Sequence, residues 1–567
     1  MDNFFLSALV DFPDDAISLY DEQSLDAMMK KLYELGVKRV HWQCYGNRAY
    51  GLLWDHSAPN SSDDYSKKTA ENLPEMNRSF VQAAKRYGME TVAVMRPLET
   101  GIWRTYSPWY PYEGKPNGIP HIGGDLRMMA HFLFEHPELR VKRRSWDVDP
   151  TATETTIRTI RLYKQNDYPT NITKENITIY TSDDNSNYKR YESDFMFIIG
   201  SESCRETVVV QKKFVTNYDE LVLTKKDEPI LTLTLSGLNI TERYAAVAVT
   251  GNDGADPAGL FRNAPYYAIR CFDADDNEIC STPGSNIYKW DNTNPLESGF
   301  NFDDGFGSTY FIELDSHGKT GYLVVCKGKN EYLPGTLCEC EPEVQKFWLS
   351  LLDDALDDDF DMYSNRIECH STMTDEPFAY GYNDCIKKEY AERFGYCAEK
   401  DMNPQKIAGI RGDKFTELFL KGARKVRERG KKVVAMLNLE MLHNPIPFPR
   451  QYAYPMNVEW QWKRWLDEIQ PDVINFRTYT YSPEFVLNDP QCMAIINAAG
   501  KYGVPMTYER YCYWDFPGDY KRLRDTGLFS SCILYETAEI MKSDQCGGVI
   551  VTKPEMLDTL SKLTSSY

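Results

Sequence analysis

The chain has 567 residues, with 64 lysines and arginines against 84 aspartates and glutamates, so its formal net charge at pH 7 is −20. A chain of this length can bury several hydrophobic cores without help from metals or disulfides. The negative charge repels polyphosphates, which argues against general nucleic-acid binding and against partners in anionic membranes. Aromatic residues make up 13% of the chain, which excludes a disordered protein and indicates ring-lined binding surfaces.

The amino terminus and the cysteines favour a reducing, cytoplasmic location. No basic segment precedes the first apolar residues, so the sequence predicts no secretory signal. No apolar run reaches the roughly 18 residues that a membrane span needs. The 14 cysteines lack regular spacing, and Cys338-x-Cys340 is the one close pair, so most are expected to act as small buried hydrophobes rather than as disulfides.

Residues 1–148 alternate short apolar strands with amphipathic helices. The pattern predicts parallel βαβ units, because each helix separates two strands that cannot be joined by a hairpin. The predicted strands are Phe4–Phe12, Lys38–Tyr45 and Glu90–Arg96, and the predicted helices are 24–35 and 77–87.

Residues 149–338 lose the helical period and show period-2 runs between Asn, Asp and Gly turns. This pattern is typical of an antiparallel β-sandwich, here of jelly-roll type. The predicted strands are Thr156–Tyr163, Ile177–Thr181, Phe195–Ile199, Thr207–Phe214, Ile230–Leu235, Tyr244–Thr250, Tyr266–Phe272, Tyr310–Leu314 and Gly321–Cys326.

Residues 339–567 return to the alternation of helix and strand. The predicted helices are 341–356, 411–429, 458–469, 488–501 and 518–525, and the predicted strands are 361–369, Val433–Glu440, Asp472–Tyr479, Val504–Tyr511 and Phe529–Glu536. Together with the first three, these strands make eight. We therefore predict an α/β fold, a (β/α)₈ or TIM barrel interrupted after its third strand by the sandwich. Alternatively Gly548–Thr552 is the eighth strand and Phe4–Phe12 is an extra one.

Four glutamates lie at predicted strand ends, where a (β/α)₈ barrel carries its active site. A single carboxylate there is usually a cap or an ion-pair partner, but four together are costly to bury unless they are used. Glycoside hydrolysis needs one protonated and one ionised carboxylate on either side of a sugar. We nominate Glu368 as the acid/base and Glu509 as the second carboxylate, with Glu440 and Glu536 as the reserve pair.

Cations and rings near the same strand ends are candidates for substrate binding. Arginines either hold an acidic group on the sugar or neutralise the glutamates, and flat rings stack on sugar faces. The candidates are His41, Trp42, Arg96, Arg366, His370, Arg477, Tyr511 and Trp514. The expected partner is therefore a carbohydrate, without a bound cofactor or metal, and the insert offers a contact for a homo-oligomer.

Several segments of the barrel portions carry a resemblance to a known family. They are Glu135-His136-Pro137-Glu138-Leu139-Arg140, the passages Glu343–Leu356 and Asp361–His370, Thr374-Asp375-Glu376-Pro377, Gly381-Tyr382-Asn383, and Tyr-x-x-Arg-Phe-Gly at 390–395. In these segments the chain resembles bacterial glycoside-hydrolase-like proteins described as family-10-like. The resemblance implies a sugar-cleaving barrel with catalytic carboxylates near the fourth strand. The chain departs from the commoner paired aspartates by having Arg366-Ile367-Glu368-Cys369-His370.

Two other functions fit the same residues. His41, His370 and His443 lie at or just past strand ends, near Glu368, Asp375 and Glu376. Such a set could bind a divalent ion for sugar isomerisation or metal-assisted hydrolysis, although no HExxH spacing supports it. A barrel that binds carbohydrate without cleaving it is the third alternative. The phosphate-binding loop, the dinucleotide-binding glycine motif and the serine-hydrolase Gly-x-Ser-x-Gly motif are absent from the sequence.

Overall fold

The structure of the chain is a computed structural model. It describes residues 4–10, 20–43, 69, 72–97, 110–112, 115–117, 132, 135–148, 154–164, 166–184, 188–211, 220–250, 266–282, 307–313, 319–366, 377–442, 458–478, 481–512, 515–535, 537, 540–544 and 546–565.

Eight parallel strands close into a barrel, each paired with the next in chain order and the last with the first. The barrel strands are β1 Phe5–Val10, β2 Val37–Gln43, β3 Glu90–Met95, β4 Met362–Asn365, β5 Lys432–Asn438, β6 Val473–Arg477, β7 Met506–Tyr511 and β8 Ser531–Tyr535. The predicted α/β barrel is confirmed, and its first strand is the run near the amino terminus. The alternative eighth strand lies instead in a two-stranded antiparallel sheet, Val549–Val551 with Met541–Ser543.

Helices pack around the outside of this barrel. They are α1 Glu22–Glu34, α2 Met76–Arg86, α3 Pro342–Leu356, α4 Asp384–Phe394, α5 Pro404–Glu428, α6 Pro483–Asn488, α7 Pro490–Tyr502, α8 Phe516–Thr526 and α9 Pro554–Ser565, with a short helix Trp462–Arg464 that continues as the π-turn Trp465–Ile469. Short 3₁₀ turns occur at Pro137–Leu139, Lys174–Asn176, Pro377–Ala379, Glu399–Asp401 and Leu439–Leu442. In the part of the chain that the structure describes, no helix combines the length and the apolar character needed to cross a bilayer.

Side chains at helix ends fix where several of these helices begin and end. Asp21 accepts a hydrogen bond from the backbone N–H of Ser24 at the start of α1, and Asn403 caps α5 in the same way. Just after helix α1 the chain turns at Gly36, whose φ of +91° suits glycine. A Cβ at Gly36 would lie 2.7 Å from Thr564 of α9, so this turn also sets how closely the two helices approach.

Side chains of each barrel strand alternate between the helix layer and the barrel interior. Leu6, Phe476 and Leu534 belong to the large core that packs against the helices. A second, smaller cluster fills the interior: Leu9, Val92, Val94, Met362, Val434, Met436, Val473, Tyr511, Ile533 and Tyr535. The interior therefore combines apolar side chains with small polar ones such as Ser7 and Ser531, and charged residues join them toward the carboxyl ends of the strands.

Two five-stranded antiparallel sheets lie between β3 and β4 in the sequence. In spatial order the first contains Met196–Ser203, Pro229–Ile240, Ile157–Lys164, Tyr266–Phe272 and Glu278–Thr282, and the second contains Gly307–Glu313, Lys319–Cys326, Tyr244–Thr250, Ile177–Ser182 and Lys189–Arg190. Leu233 of the first sheet and Val247 and Val325 of the second share one core, so the sheets form a sandwich. Two shorter pairs are Val208–Gln211 with Glu220–Thr224 and Tyr110–Tyr112 with Lys115–Asn117. The domain limits 149–338 stay a prediction.

A short antiparallel ladder joins the sandwich to the barrel. Its strands, Arg140–Lys142 and Tyr332–Leu337, lead into and out of the insert, and we call this pair the neck. Beside it, the buried guanidinium of Arg143 donates from Nε to the backbone oxygen of Asn330 at 2.8 Å and also bonds the hydroxyl of Tyr380. Buried charge-assisted bonds of this kind hold the chain crossings at a defined position.

Candidate active site

The polar residues of the barrel interior converge on β6 and β7. Asn475 and Arg477 alternate with Phe476, which faces the helices, and Arg477 pairs in register with Glu509 on β7. All these side chains are buried. Because the strands are parallel, both residues lie toward the carboxyl end of the barrel, where active sites of this fold are found.

Glu509 is the centre of a buried ionic and hydrogen-bonded group. Arg477 Nη1 forms an ion pair with Glu509 Oε1, and Asn475 Nδ2 donates to the other oxygen, Oε2, at 2.8 Å. Thr507 Oγ1 donates to Asn475 Oδ1 at 3.1 Å, which fixes the orientation of the amide. A cation and an amide donor on separate oxygens stabilise the anionic form of a carboxylate.

Two tyrosines and two arginines form the adjacent wall of the interior. The rings of Tyr511 and Tyr535 meet edge to face with centroids 4.4 Å apart. The guanidinium carbon of Arg477 lies 4.3 Å from the centroid of Tyr535. Arg366 Nη2 donates to the Tyr535 hydroxyl at 3.4 Å. The Tyr535 ring thus contacts two cations, and the Arg366 side chain, just past β4, reaches across the interior to β8.

Arg96 and Asn438 extend the polar interior, and both are buried. Arg96 follows β3, where the neighbouring backbone oxygen of Met95 accepts a hydrogen bond from the N–H of Arg366 at 2.7 Å. This bond ties the end of β3 to the residue after β4. Three arginines from β3, β4 and β6 therefore share the upper interior with Glu509.

His41 lies in the interior on β2, aligned with Leu9 and Val92 of the neighbouring strands. Neither ring nitrogen has a hydrogen-bond partner among the residues that the structure describes. Burial, and next the charge of Arg39, lower the pKa of His41 well below its ordinary value. The imidazole is therefore neutral at physiological pH.

We expect His41 to make the folded state sensitive to acid. Below about pH 6.5 the unfolded chain takes up a proton at this residue and the folded chain does not, so the free energy of unfolding falls by up to about 1.4 kcal/mol per pH unit. His41→Gln should reduce that loss between pH 6.5 and 5.5, measured by denaturant titration at each pH. His136→Gln, at a histidine with a partly exposed side chain, should keep the wild-type dependence. Equal slopes for wild type and His41→Gln would contradict the account.

The structure brings together Glu509, Arg477, Arg366 and Tyr511, and places His41 and Arg96 in the same interior. It does not bring Trp42 to them. Trp42 points outward, donates from Nε1 to Asn77 Oδ1 at 2.9 Å and stacks on Phe80 at 4.2 Å. That position packs β2 against α2. The remaining predicted residues Glu368, His370, Trp514 and Glu536, and the side chain of Glu440, lie outside the described residues.

Asn475 and Tyr535 were not among the predicted site residues, although both contact members of this group directly. The signal was present in the sequence, because Asn475 lies two residues before Arg477 on the same strand and so shares its face. Tyr535 lies two residues after Ile533 on β8, so the same alternation places both in the interior.

The metal-dependent alternative requires histidine and carboxylate ligands at the barrel mouth. Among the described residues, one group of donors is close enough to hold a metal ion, Cys338, Glu341 and Cys385, and it lies beside the neck rather than in the barrel interior. Of the three histidines in that alternative, His41 is described and His370 and His443 are not. A metal-dependent site at the barrel mouth therefore has no support from the described residues.

No protein-family model matches the sequence, and no curated protein matches it. Among solved structures, the chain is similar to the catalytic domain of the beta-amylase from Paenibacillus polymyxa, with 7% identity, 99% of each chain covered and a TM-score of 0.38. It is also similar to a 2-naphthoyl-CoA reductase in complex with 2-naphthoyl-CoA, with 8% identity, 98% of this chain and 49% of that chain covered and a TM-score of 0.33. At these TM-scores neither likeness carries an argument about this chain. The barrel fold rests on the strand pairing, and the family-10-like resemblance stays a prediction.

Proposed function

We propose that the chain is a glycoside hydrolase in which Glu509 is the ionised carboxylate that faces the anomeric carbon of the sugar. The environment of Glu509 carries this proposal, since Arg477 and Asn475 each hold one of its two oxygens. A carboxylate held in this way is a poor proton donor and a well-oriented nucleophile or base. Its position toward the carboxyl ends of the barrel strands suits an active site.

A second group must then supply the proton to the leaving oxygen, and Glu368 is our candidate. Arg366 faces the interior after β4, and the period-2 spacing in the sequence predicts the same face for Glu368. The contact between Arg366 and Tyr535 supports a site here, because it spans the interior from β4 to β8. Tyr535 in turn contacts Tyr511 of β7, so a side chain just past β4 would meet a sugar that also lies beside β7.

The reaction divides the work between the two carboxyl groups. Glu368 gives its proton to the glycosidic oxygen as the bond to the anomeric carbon breaks, and Glu509 faces the positive charge that develops on the sugar. In a retaining course Glu509 bonds to the anomeric carbon, and water later releases it while Glu368 takes a proton back. In an inverting course Glu509 takes a proton from the attacking water. Both courses consume one water for each bond cleaved.

The remaining described groups suit substrate binding. Tyr511 and Tyr535 provide aromatic surface beside Glu509, and Arg366 provides hydrogen-bond donors for hydroxyl or carboxylate groups of a sugar. Arg477 neutralises Glu509, so we assign it to positioning the carboxylate rather than to binding substrate. Arg96, His370 and Trp514 complete the proposed substrate-binding set.

A panel of aryl glycosides tests the proposal. The panel should include both anomers of neutral sugars and of uronic acids. We expect turnover of at least one substrate, unchanged by brief EDTA treatment, because the chemistry needs two carboxyl groups and no metal. Loss of turnover on EDTA treatment that returns with added Mg²⁺ or Mn²⁺ would favour the metal-dependent alternative. Binding of sugars without turnover of any substrate would favour a carbohydrate-binding barrel.

A further inference from the structure

Sulfur and carboxylate groups gather where the insert returns to the barrel. The neck strand that ends at Leu337 continues into Cys338-Glu339-Cys340-Glu341, which leads directly into α3. Cys385 lies in the first turn of α4. The sulfurs of Cys338 and Cys385 and a carboxylate oxygen of Glu341 all lie within 4.8 Å of one another.

Cys340 adds a third thiol to this group. The thiol of Cys385 interacts with those of both Cys338 and Cys340, and it donates to Glu341 Oε1 at 3.2 Å. A hydrogen bond from the Glu341 N–H to the Cys338 oxygen, 3.1 Å long, closes the backbone turn that carries these donors. Three potential ligand atoms therefore lie within 4.8 Å of one another, and the Cys340 thiol lies next to one of them, that of Cys385.

The residue between the two cysteines anchors the turn that carries them. Glu339 is buried, and Arg411 of α5 donates to both of its carboxylate oxygens, from Nε to Oε1 at 2.5 Å and from Nη2 to Oε2 at 2.9 Å. This buried pair fixes the Glu339 side chain toward α5 and so holds the turn from Cys338 to Glu341 beside α4.

Ordinary packing and helix capping do not explain the orientation of the Glu341 side chain. Glu341 occupies the N-cap position of α3, where a side-chain oxygen ordinarily accepts a hydrogen bond from the first helical turn, but its side chain makes no such bond. Its carboxylate instead faces the weak thiol donor of Cys385. Turning a carboxylate away from a helix N-terminus toward sulfur costs free energy unless a cation occupies the site.

The chemistry of these donors favours zinc over calcium or magnesium. Thiolates are soft ligands that select zinc, and structural zinc sites use four donors, most of them cysteines.

We propose that Cys338, Cys340, Cys385 and Glu341 bind a structural zinc ion that fastens the returning strand of the neck to α4. This site is separate from the proposed hydrolytic site and departs from the expectation, drawn from the sequence, that the chain binds no metal. The zinc ion would fix the insert at the place where its chain rejoins the barrel. Binding free energy at such a site adds directly to folding stability.

Metal content of the purified full-length chain tests the proposal. After growth with added zinc and extensive desalting, we expect elemental analysis to find about one zinc ion per chain. Cys338→Ser and Cys385→Ser should reduce this several-fold, whereas Cys546→Ser, at an exposed cysteine away from the group, should keep it. A wild-type chain without zinc would overturn the proposal, and so would a Cys385→Ser chain that keeps its zinc.

Cobalt substitution gives a second readout on the wild-type chain, in case the serine variants fail to fold. Replacing the bound metal with Co²⁺ should produce an intense near-ultraviolet sulfur-to-cobalt charge-transfer band, and thiol reagents should label Cys338, Cys340 and Cys385 faster after chelation than before. A cobalt spectrum without that band would overturn the proposal. A disulfide joining Cys385 to Cys338 or Cys340, found by peptide mass mapping, would overturn it as well. Neither measurement depends on hydrolytic activity.

Discussion

Glu509→Gln is expected to lower kcat on the best aryl glycoside by about 10³-fold or more, in a protein that still folds but with a lower free energy of unfolding, because Arg477 loses its anionic partner. The amide has nearly the same shape as the carboxylate but carries no charge, so it cannot face the developing positive charge on the sugar. Steady-state kinetics gives the rate, and circular dichroism with a thermal scan monitors the fold.

Glu90→Gln is the matched control for this variant. Glu90 begins β3 at the opposite end of the barrel and accepts hydrogen bonds from Nε and Nη2 of Arg39 at 2.9 and 2.7 Å. Both glutamates thus pair with an arginine on a neighbouring strand, but Glu90 lies at the amino-terminal end of the barrel, where this fold carries no active site. The control should keep turnover within a few-fold of wild type. Similar losses in both variants would indicate a structural effect.

Asp519→Ala is expected to lower the free energy of unfolding by about 3–5 kcal/mol, because it leaves a buried cation without its partner. Arg510 follows Glu509 on β7 but faces the helices, where its Nε donates to Asp519 Oδ2 at 2.8 Å. Its Nη1 donates to the backbone oxygen of Tyr481 at 3.0 Å. These bonds attach β7 to α8 and so support the strand that carries Glu509. Denaturant titration measures the change.

The control for this prediction is an exposed pair of the same chemistry. Arg464 and Glu468 form an ion pair one helical turn apart, and both side chains are well exposed. Glu468→Ala should change the free energy of unfolding by no more than about 0.5 kcal/mol, since solvent screens such pairs. If Asp519→Ala were as mild as Glu468→Ala, the buried pair would not be the anchor we describe.

The alternation of apolar residues was enough to find the barrel. Period-2 runs bounded by helices gave the eight strands, and the register of parallel strands then required their polar ends to meet at one mouth. Helix starts were less well predicted. The fifth helix begins at Pro404, seven residues before its predicted start at 411, and Asn403-Pro404 was the capping signal that marked it.

The candidate site was only partly predictable. The alternation along a strand predicts which side of the barrel wall a side chain faces, but it does not predict which other side chain it contacts. Glu509, Arg477 and Arg366 face the interior as their spacing predicted. The sequence left open whether the arginines hold an acidic group on the sugar or neutralise the glutamates, and in the structure Arg477 pairs with Glu509. Trp42 is the next residue after His41 on β2, and neighbouring residues of a strand face opposite sides of the sheet. The alternation that places His41 in the interior therefore places Trp42 outside.

Contacts between segments that lie far apart in the sequence could not be predicted from the sequence alone. The thiols of Cys338 and Cys385 meet because the neck returns beside α4, and spacing alone does not show where an inserted domain rejoins its host. The Cys338-x-Cys340 pair was visible, but without the third thiol it did not indicate a metal site. Only the tertiary structure shows which of these segments lie side by side.

Chemical rescue of Glu509→Ala tests the central claim most directly. Removing the carboxylate opens a space in which azide can attack the anomeric carbon from the face that Glu509 occupies. We predict that azide restores turnover of an activated aryl glycoside and that the product is a glycosyl azide of inverted anomeric configuration. A glycosyl azide of retained configuration, or no rescue in a correctly folded variant, would contradict the role assigned to Glu509.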